Sequence, residues 1–230
     1  LSPVAAIATA DLEGSIAEVQ RVAKVGFRAL TLPCKPVWGA HDIDHPNYNL
    51  PHFDPLWAAI QDTGLPITFH ISTGRDPRAS RGNGGAVINY VSHSLSPTVE
   101  PVANLCASGV FERFPGLRFA TIEAGIGWLP WVLEAMDEAY RKHHFWVRPK
   151  LKHLPSEYFR RHGFASFQED PAGLDLAARI VDRHGGEVPG SYDDLRALPG
   201  VGEYTAAAVA TFAFGQRHAV IVDRVTGEEH

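Results

Sequence analysis

The stretch Arg113 to Asp137, RFPGLRFATIEAGIGWLPWVLEAMD, constrains the fold more than any other, because it holds one complete strand, turn and helix. Leu117 to Ile122 is a short apolar run between Pro115-Gly116 and Ala124-Gly125, the pattern of a buried strand, and Glu123 ends it. Beyond the glycines, Leu129, Val132, Leu133 and Met136 recur at i, i+3, i+4 and i+7, so a helix lays an apolar stripe back over that strand. A second unit of the same design lies upstream. There Gly64-Leu65-Pro66 opens the run Ile67-Thr68-Phe69, and the strand ends on His70 ahead of the loop ISTGRDP. In βα architectures chemistry collects at the carboxyl ends of strands. His70 and Glu123 are therefore the first candidates for a shared site.

The rest of the first 170 or so residues repeats the alternation. VAAIAT, from Val4, reads as a strand; from Asp11 the positions Leu12, Ile16, Val19 and Ala23 keep helical spacing, and Gly26 stops that helix before a strand over Phe27 to Leu32. Pro36 to Phe53 has no period and reads as a long loop, whose His41, His45 and His52 lack ligand spacing and are expected at the surface. Asp54-Pro55 supplies an N-cap and a first-turn proline for a helix ending near Thr63. Residues 72–94 are rich in Gly, Ser and Arg and read as another long loop on the active side. Its Arg75, Arg78 and Arg81 are either solvated charges or a reception for an anionic substrate. Ser96-Pro97 is expected to cap a helix running to about Phe114, and a short helix is expected from Ser156. Strands alternating with helices give a parallel sheet closed or covered by helices.

Composition narrows the function. With 21 Lys+Arg against 26 Asp+Glu the formal net charge is −5, so no global field draws the chain to nucleic acid or to an anionic membrane. Two cysteines, Cys34 and Cys106, cannot build a disulfide framework and read as core thiols of a reducing compartment. No apolar run has the length of a membrane span and no signal-peptide layout opens the chain, which gives a cytoplasmic expectation and no membrane partner. The sequence starts without Met and enters a strand at once, as if cut inside a larger fold.

Three long motifs carry a resemblance. GLPITFHISTG, GVFERFPGLRFATIEAGIGWLPWVLEAMD and LPSEYFRRHGFASFQEDPAGL, taken in that order, resemble the amidohydrolase-related barrel family that includes the aminocarboxymuconate-semialdehyde decarboxylases. The likeness covers about residues 1–174. It implies a (β/α) barrel, a small-molecule substrate that is an organic acid or carbonyl compound, and a divalent metal, zinc foremost, at the carboxyl end of the strands. It also implies that His70 descends from a metal ligand of a middle strand. Glu123 stands at the strand end where many decarboxylases carry a catalytic His and other members carry Glu, so it is expected as ligand or base. Two stations of the family depart: the chain contains no His-x-His and no Ser-Asp-Tyr-Pro-His-like closing motif. A catalytic zinc takes about three protein ligands and an open position, and a full barrel takes about 250 residues. An incomplete (β/α) barrel is therefore expected, inactive by itself, with open sheet edges that invite self-association.

From about Asp175 the pattern changes. LDLAARIVDRHGG gives a helix with a glycine stop, and SYDDLRAL follows with Ser191 and Asp194 in the spacing of a capping box. LPGVG and the small-residue helix EYTAAAVATFAFGQR complete a helix-hairpin-helix pattern. With HGGEVP before it and AVIVD after it, residues 175–230 resemble part of an A/G-specific adenine DNA glycosylase, so the second expected domain is a small all-α segment. The resemblance implies that the hairpin, Leu198, Gly200, Val201 and Gly202, offers backbone N–H groups to a DNA phosphate, with a monovalent cation bound. The physics of a helix N-terminus and close-approaching glycines suits that role. It further implies a catalytic role for Asp223, stabilising a cationic sugar. Here too parts are absent: the half carrying the general acid is replaced by barrel sequence, and no cysteines follow for an iron–sulfur cluster. Residues 175–230 hold 5 Lys+Arg and 9 Asp+Glu, which makes any DNA contact weak.

Each candidate has a plainer alternative. His70 can also be read as a hydrogen-bonded histidine at a strand end, Glu123 as a carboxylate on a helix dipole, Asp223 as a cap, and the two hairpin glycines as an ordinary turn between helices. Three readings stay open: a metal-dependent hydrolase or decarboxylase, a DNA-binding hairpin module, and a join of two truncated genes without activity of its own. The third describes the sequence best, with barrel ancestry as its larger part.

Overall fold

The computed structural model describes residues 3–36, 46–74, 79–143, 150–175, 178 and 190–197. The chain separates into two compact units, Leu1–Glu169 and Asp170–His230.

In the first unit five short strands form one sheet in strict chain order: β1 Val4–Ala6, β2 Ala29–Thr31, β3 Ile67–His70, β4 Phe119–Ile122 and β5 Gly163–Ala165. Every pairing is parallel, so all carboxyl ends point the same way. Helices make the crossovers. α1, Leu12–Val25, joins β1 to β2; α2, Asp54–Thr63, precedes β3; α3, Gly85–Ile88, α4, Val99–Ala107, and α5, Val110–Arg113, lead to β4; α6, Leu129–His143, and α7, Pro155–His162, lead to β5. Sequential parallel strands with helical crossovers are an incomplete (β/α) barrel, the fold class read from the sequence.

Local chemistry sets the boundaries of α1. Asp11, in the extended region, accepts a hydrogen bond from the backbone N–H of Gly14 at 3.2 Å. At the other end Gly26, φ +97°, donates to the carbonyls of Val22 and Ala23, a left-handed closure that disfavours a side chain. Val19 and Val22 are fully buried, as the helical spacing requires.

Four expectations are corrected. Asp54 is not the cap of α2: the 3₁₀ turn Pro51–Phe53 runs directly into the helix, and the Asp54 carboxylate instead accepts from the Arg113 guanidinium at 2.9 Å. The helix expected from Ser96 to Phe114 begins as a 3₁₀ turn, Ser96–Thr98, with no side-chain cap. It then breaks at Ser108-Gly109, where Gly109 takes φ +78°, so α4 and α5 are separate. Within the expected loop 72–94, Gly85–Ile88 is helical and continues as a π-turn over Asn89–Leu95; the Asn89 side chain ties it down through Ser80 N and O at 2.8 and 2.9 Å. Finally, β5 was not read as a strand at all. Its three residues contain one large apolar side chain, too little for a period-2 signal.

The core lies between the sheet and the helices. Leu30, Ile67, Phe69, Phe119 and Thr121 point to this side and are buried. Tyr48, Phe53, Trp57 and Phe69 form an aromatic cluster, with Tyr48 centred 5.4 Å from Trp57 and 5.9 Å from Phe69, and the Tyr48 hydroxyl donates to the Pro33 carbonyl at 2.8 Å. Farther along, Phe119 meets Phe159 of α7 edge-on at 5.7 Å. Each such side chain contributes about 1.5–3 kcal/mol by leaving water. Asp137 of α6 is buried and accepts from both the N–H and the hydroxyl of Ser156, at 2.9 and 2.7 Å, which fixes the start of α7. On the opposite side of the sheet the register lines up Ala6, Thr31, Thr68, Ala120 and Phe164, none of them buried.

In the second unit residues 171–175 are helical, and a further short helix is α8, Tyr192–Arg196. Ser191 caps it by accepting from the N–H of Asp194 at 3.2 Å, as its spacing predicts.

Candidate active site at the strand ends

β3 and β4 are adjacent and in register, His70 opposite Ile122, so the residue after β4 stands beside the last residue of β3. That is how two side chains far apart in the chain come together: His70 Nε2 and Glu123 Oε2 lie 3.3 Å apart, both about one third exposed. Neither belongs to the helix-covered core.

The backbone bends to allow it. Glu123 has φ +59° and Ser72, in the turn after β3, has φ +68°; they are the two non-glycine residues with positive φ among those described. The left-handed conformation costs an L-residue about 1–2 kcal/mol, and such strain persists where surrounding contacts impose it. Around Glu123 those contacts are with Ser166, just past β5. Its hydroxyl accepts from Glu123 N at 3.3 Å, its carbonyl accepts from Ala124 N at 3.2 Å, and its own N–H donates to Thr121 O at 2.8 Å. Trp128 adds a further tie by donating from Nε1 to the Ala124 carbonyl at 2.7 Å.

The ring of His70 is fixed as tightly. Its Nδ1 lies 2.9 Å from the carbonyl oxygen of Ile71, and a carbonyl can only accept, so Nδ1 carries the proton. Nε2 is then the atom facing Glu123. In a neutral imidazole it presents a lone pair, and a carboxylate oxygen presents another, so a proton or a cation belongs between them. This is the orientation in which a backbone carbonyl prepares a histidine for ligation.

Neighbouring groups support the pair without joining it. Cys34 places its thiol 3.6 Å from the His70 carbonyl and 3.7 Å from the Thr73 hydroxyl, and burial pushes that thiol up to about 11, which keeps it from acting as a thiolate. Gly74, φ +63°, passes so close to Pro33 and the Lys35 backbone that a β-carbon would lie 2.8–2.9 Å from them, which clamps the loops after β2 and β3 together. Among the described residues no cluster of three or more His, Cys, Asp or Glu could hold a metal.

The structure thus joins His70 to Glu123. The other sequence candidates, Leu198, Gly200, Val201, Gly202 and Asp223, lie outside the described residues, as do His41, His45, Arg75 and Arg78. His52 and Arg81 are exposed, as expected of surface residues. Sequence reasoning missed Ser166 and the Ile71 carbonyl, because neither a lone serine nor a main-chain oxygen has a pattern to find. No helix among the described residues is long and apolar enough to cross a membrane.

Comparison with known proteins bears on the fold and on the two segments of the chain. The helix-hairpin-helix motif is matched at residues 183–212. A 47-residue stretch is 43% identical to a thymine/uracil-DNA glycosylase of Methanothermobacter thermautotrophicus, covering 20% of this chain and 21% of that protein. Among solved structures, the 5-carboxyvanillate decarboxylase of Sphingomonas paucimobilis superposes with a TM-score of 0.57 at 23% identity, over 91% of this chain and 64% of that one. An amidohydrolase of Mycobacterium avium subsp. paratuberculosis K-10 gives 0.57 at 18%, over 94% and 58%. A 5-carboxyvanillate decarboxylase of Novosphingobium aromaticivorans, solved with bound manganese, gives 0.53 at 18%, over 71% and 46%. At these identities the structures share the fold, and the chain spans less than two thirds of each of them. With the family model for amidohydrolases matching residues 1–187 out of 230, however, the chain belongs to the amidohydrolase family.

Proposed function

We propose that the barrel portion, residues 1–174, derives from a metal-dependent hydrolase or decarboxylase of a small organic acid or carbonyl compound, with His70 and Glu123 as the surviving half of its site. A single chain does not complete the reaction. The carrying observation is the 3.3 Å approach of His70 Nε2 to Glu123 Oε2 with Nδ1 already committed to the Ile71 carbonyl. Two acceptors at that distance require positive charge between them. Decarboxylation breaks a C–C bond, releases carbon dioxide and leaves the electron pair on carbon, which must take up a proton. A proton shared by this pair is suitably placed for that transfer.

A divalent cation would use the same two atoms. Catalytic zinc sites draw about three protein ligands, and the described residues supply two. They do not make up a complete site for zinc or manganese. The manganese-bound neighbour motivates manganese as the first probe and the family resemblance zinc as the second.

The test is calorimetric titration of the 230-residue chain with manganese or zinc, alongside carbon dioxide release from 5-carboxyvanillate. We expect weak, sub-stoichiometric binding that His70→Ala removes, and no release. Tight one-to-one binding that survives His70→Ala, or turnover by the single chain, would overturn the reading.

A second reading concerns residues 175–230. The helix-hairpin-helix match and the glycosylase-like stretch support a segment from a DNA glycosylase, adenine-specific by its flanking sequence, joined to the barrel by fusion of two truncated genes. In this reading Leu198 to Gly202 approach a phosphate, with a monovalent cation, and Asp223 is the vestige of the catalytic carboxylate. The excess of acidic residues opposes tight DNA binding, so the hairpin contributes at most a weak contact and the barrel remains the principal ancestry.

A further inference from the structure

The chain leaves β3 through a β-turn over His70, Ile71, Ser72 and Thr73. Thr73 shuts it with two donors, since its N–H and its hydroxyl both reach the His70 carbonyl, at 3.0 and 2.6 Å. Ser72, the third residue of the turn, has φ +68°, whereas Ile71, the second, is not among the residues of positive φ. Negative φ followed by positive φ defines a type II turn, which favours glycine at its third position. Here a serine stands there. Strain of this kind collects at functional sites, and the exposed Ser72 side chain does not offset it by packing.

The type of turn decides where one carbonyl points. Types I and II differ by a rotation of about 150° in ψ of the second residue, which swings the carbonyl between the second and third residues to the other side of the turn. In this chain that carbonyl is Ile71 O, the atom 2.9 Å from His70 Nδ1. A negative φ at Ser72 would turn it away from the ring. The left-handed serine and the aimed imidazole are thus two consequences of one peptide orientation.

We propose that Ser72 is a positioning residue for the His70–Glu123 pair. With Thr73 holding the turn shut, its left-handed backbone keeps the Ile71 carbonyl on Nδ1, which puts the ring proton there and leaves the Nε2 lone pair facing Glu123 Oε2 at 3.3 Å. Free histidine prefers the opposite tautomer. The turn therefore selects the form that can take a cation between the two side chains, a role that rests on reading the pair as the surviving half of a metal-dependent site.

The test reads the tautomer itself, from the nitrogen chemical shifts of both ring atoms in the full chain labelled at histidine, at a pH above the imidazole range. The His70 signals are those that His70→Asn removes. Wild type should show Nδ1 protonated and Nε2 bare. Ser72→Gly adopts positive φ without strain and should show the same, whereas Ser72→Val, whose branched side chain resists positive φ, should move the ring toward the Nε2-protonated form. Thr73→Val should shift it in the same direction and Thr73→Ser should restore it, a rescue that lost packing would not give. Circular dichroism checks folding, and if Ser72→Val does not fold, the threonine variants decide. Manganese supplies a second readout: the concentration that half-broadens the His70 ring signals should rise roughly tenfold in Ser72→Val and stay unchanged in Ser72→Gly, as for other groups that orient a metal-binding histidine. A wild-type ring protonated on Nε2 overturns the proposal, as does a folded Ser72→Val or, in its place, a Thr73→Val that keeps Nδ1 protonated. Tautomers that respond as stated while manganese broadens nothing would sink the functional reading and leave the role of the turn standing.

Discussion

The two faces of the sheet differ in what holds them. On the helix side β2, β3 and β4 send Leu30, Ile67, Phe69 and Phe119 into a continuous buried cluster, which Ala5 of β1 extends; on the other side the in-register residues, Ala6, Thr31, Thr68, Ala120 and Phe164, with His70 beyond them, stay in contact with water. Stability is therefore concentrated on one face and chemistry on the other. Adjacent residues of a strand, Phe69 and His70, serve the two purposes separately, because alternation sends them to opposite sides.

The largest test of that division is a pair of substitutions one residue apart. Phe69→Ala should cost about 3–5 kcal/mol, since it empties a fully buried position between Tyr48 and Phe119. Thr68→Ala should cost only about 1 kcal/mol, for its hydrogen bonds to the Leu30 carbonyl and the Thr31 hydroxyl. Urea unfolding of the two variants checks the ratio, and comparable losses would mean that the open face also carries stability.

A smaller effect of opposite sign is expected at Glu123. Replacement by Gly removes the left-handed strain at φ +59°, so stability should hold or rise by up to about 1 kcal/mol, while the weak cation binding disappears. Glu123→Ala keeps the strain and should show no gain. A clear loss of stability in Glu123→Gly would place this carboxylate among the structural groups.

The smallest effect is a pH dependence from the helix side. His162 stacks on Phe111 at 4.3 Å and 11°, with Nδ1 3.0 Å from the Leu117 carbonyl. Burial, followed by the nearby Arg118 and Arg161 charges, holds its pKa below the ordinary imidazole value, despite the opposing Leu117 hydrogen bond. A lowered pKa means that the unfolded chain takes up the proton first. This contribution is then complete above the imidazole range and declines as pH falls through it toward the folded pKa. Unfolding midpoints above and below that range should differ less in His162→Phe than in the parent.

The division of labour also explains what was legible in the sequence. Strands β1 to β4 and helices α1, α2 and α6 each carry a periodic apolar pattern, because they pack on a common core, and periodicity records such packing. β5 and the helical turns over 85–98 carry none, since they are short and held by individual bonds such as those of Asn89. His70 and Glu123 could be paired from their position at strand ends. The strain at Glu123 and its support by Ser166 could not, because they arise from contacts over 40 residues apart. The fall of α2 onto a preceding 3₁₀ turn was hidden for a related reason: Asp54 suits both a cap and an ion pair, and only the nearby Arg113 decides.

One detail at the end of β3 reaches beyond this chain. The imidazole is aimed by the carbonyl of the very next residue, so its orientation is encoded within one short turn and needs no distant scaffold. A genetic rearrangement that carries the strand elsewhere carries a ready-oriented nitrogen donor with it. The glutamate opposite has no such portability: its pose is borrowed from a neighbouring strand, and cutting between the two would leave the histidine aligned and the carboxylate adrift.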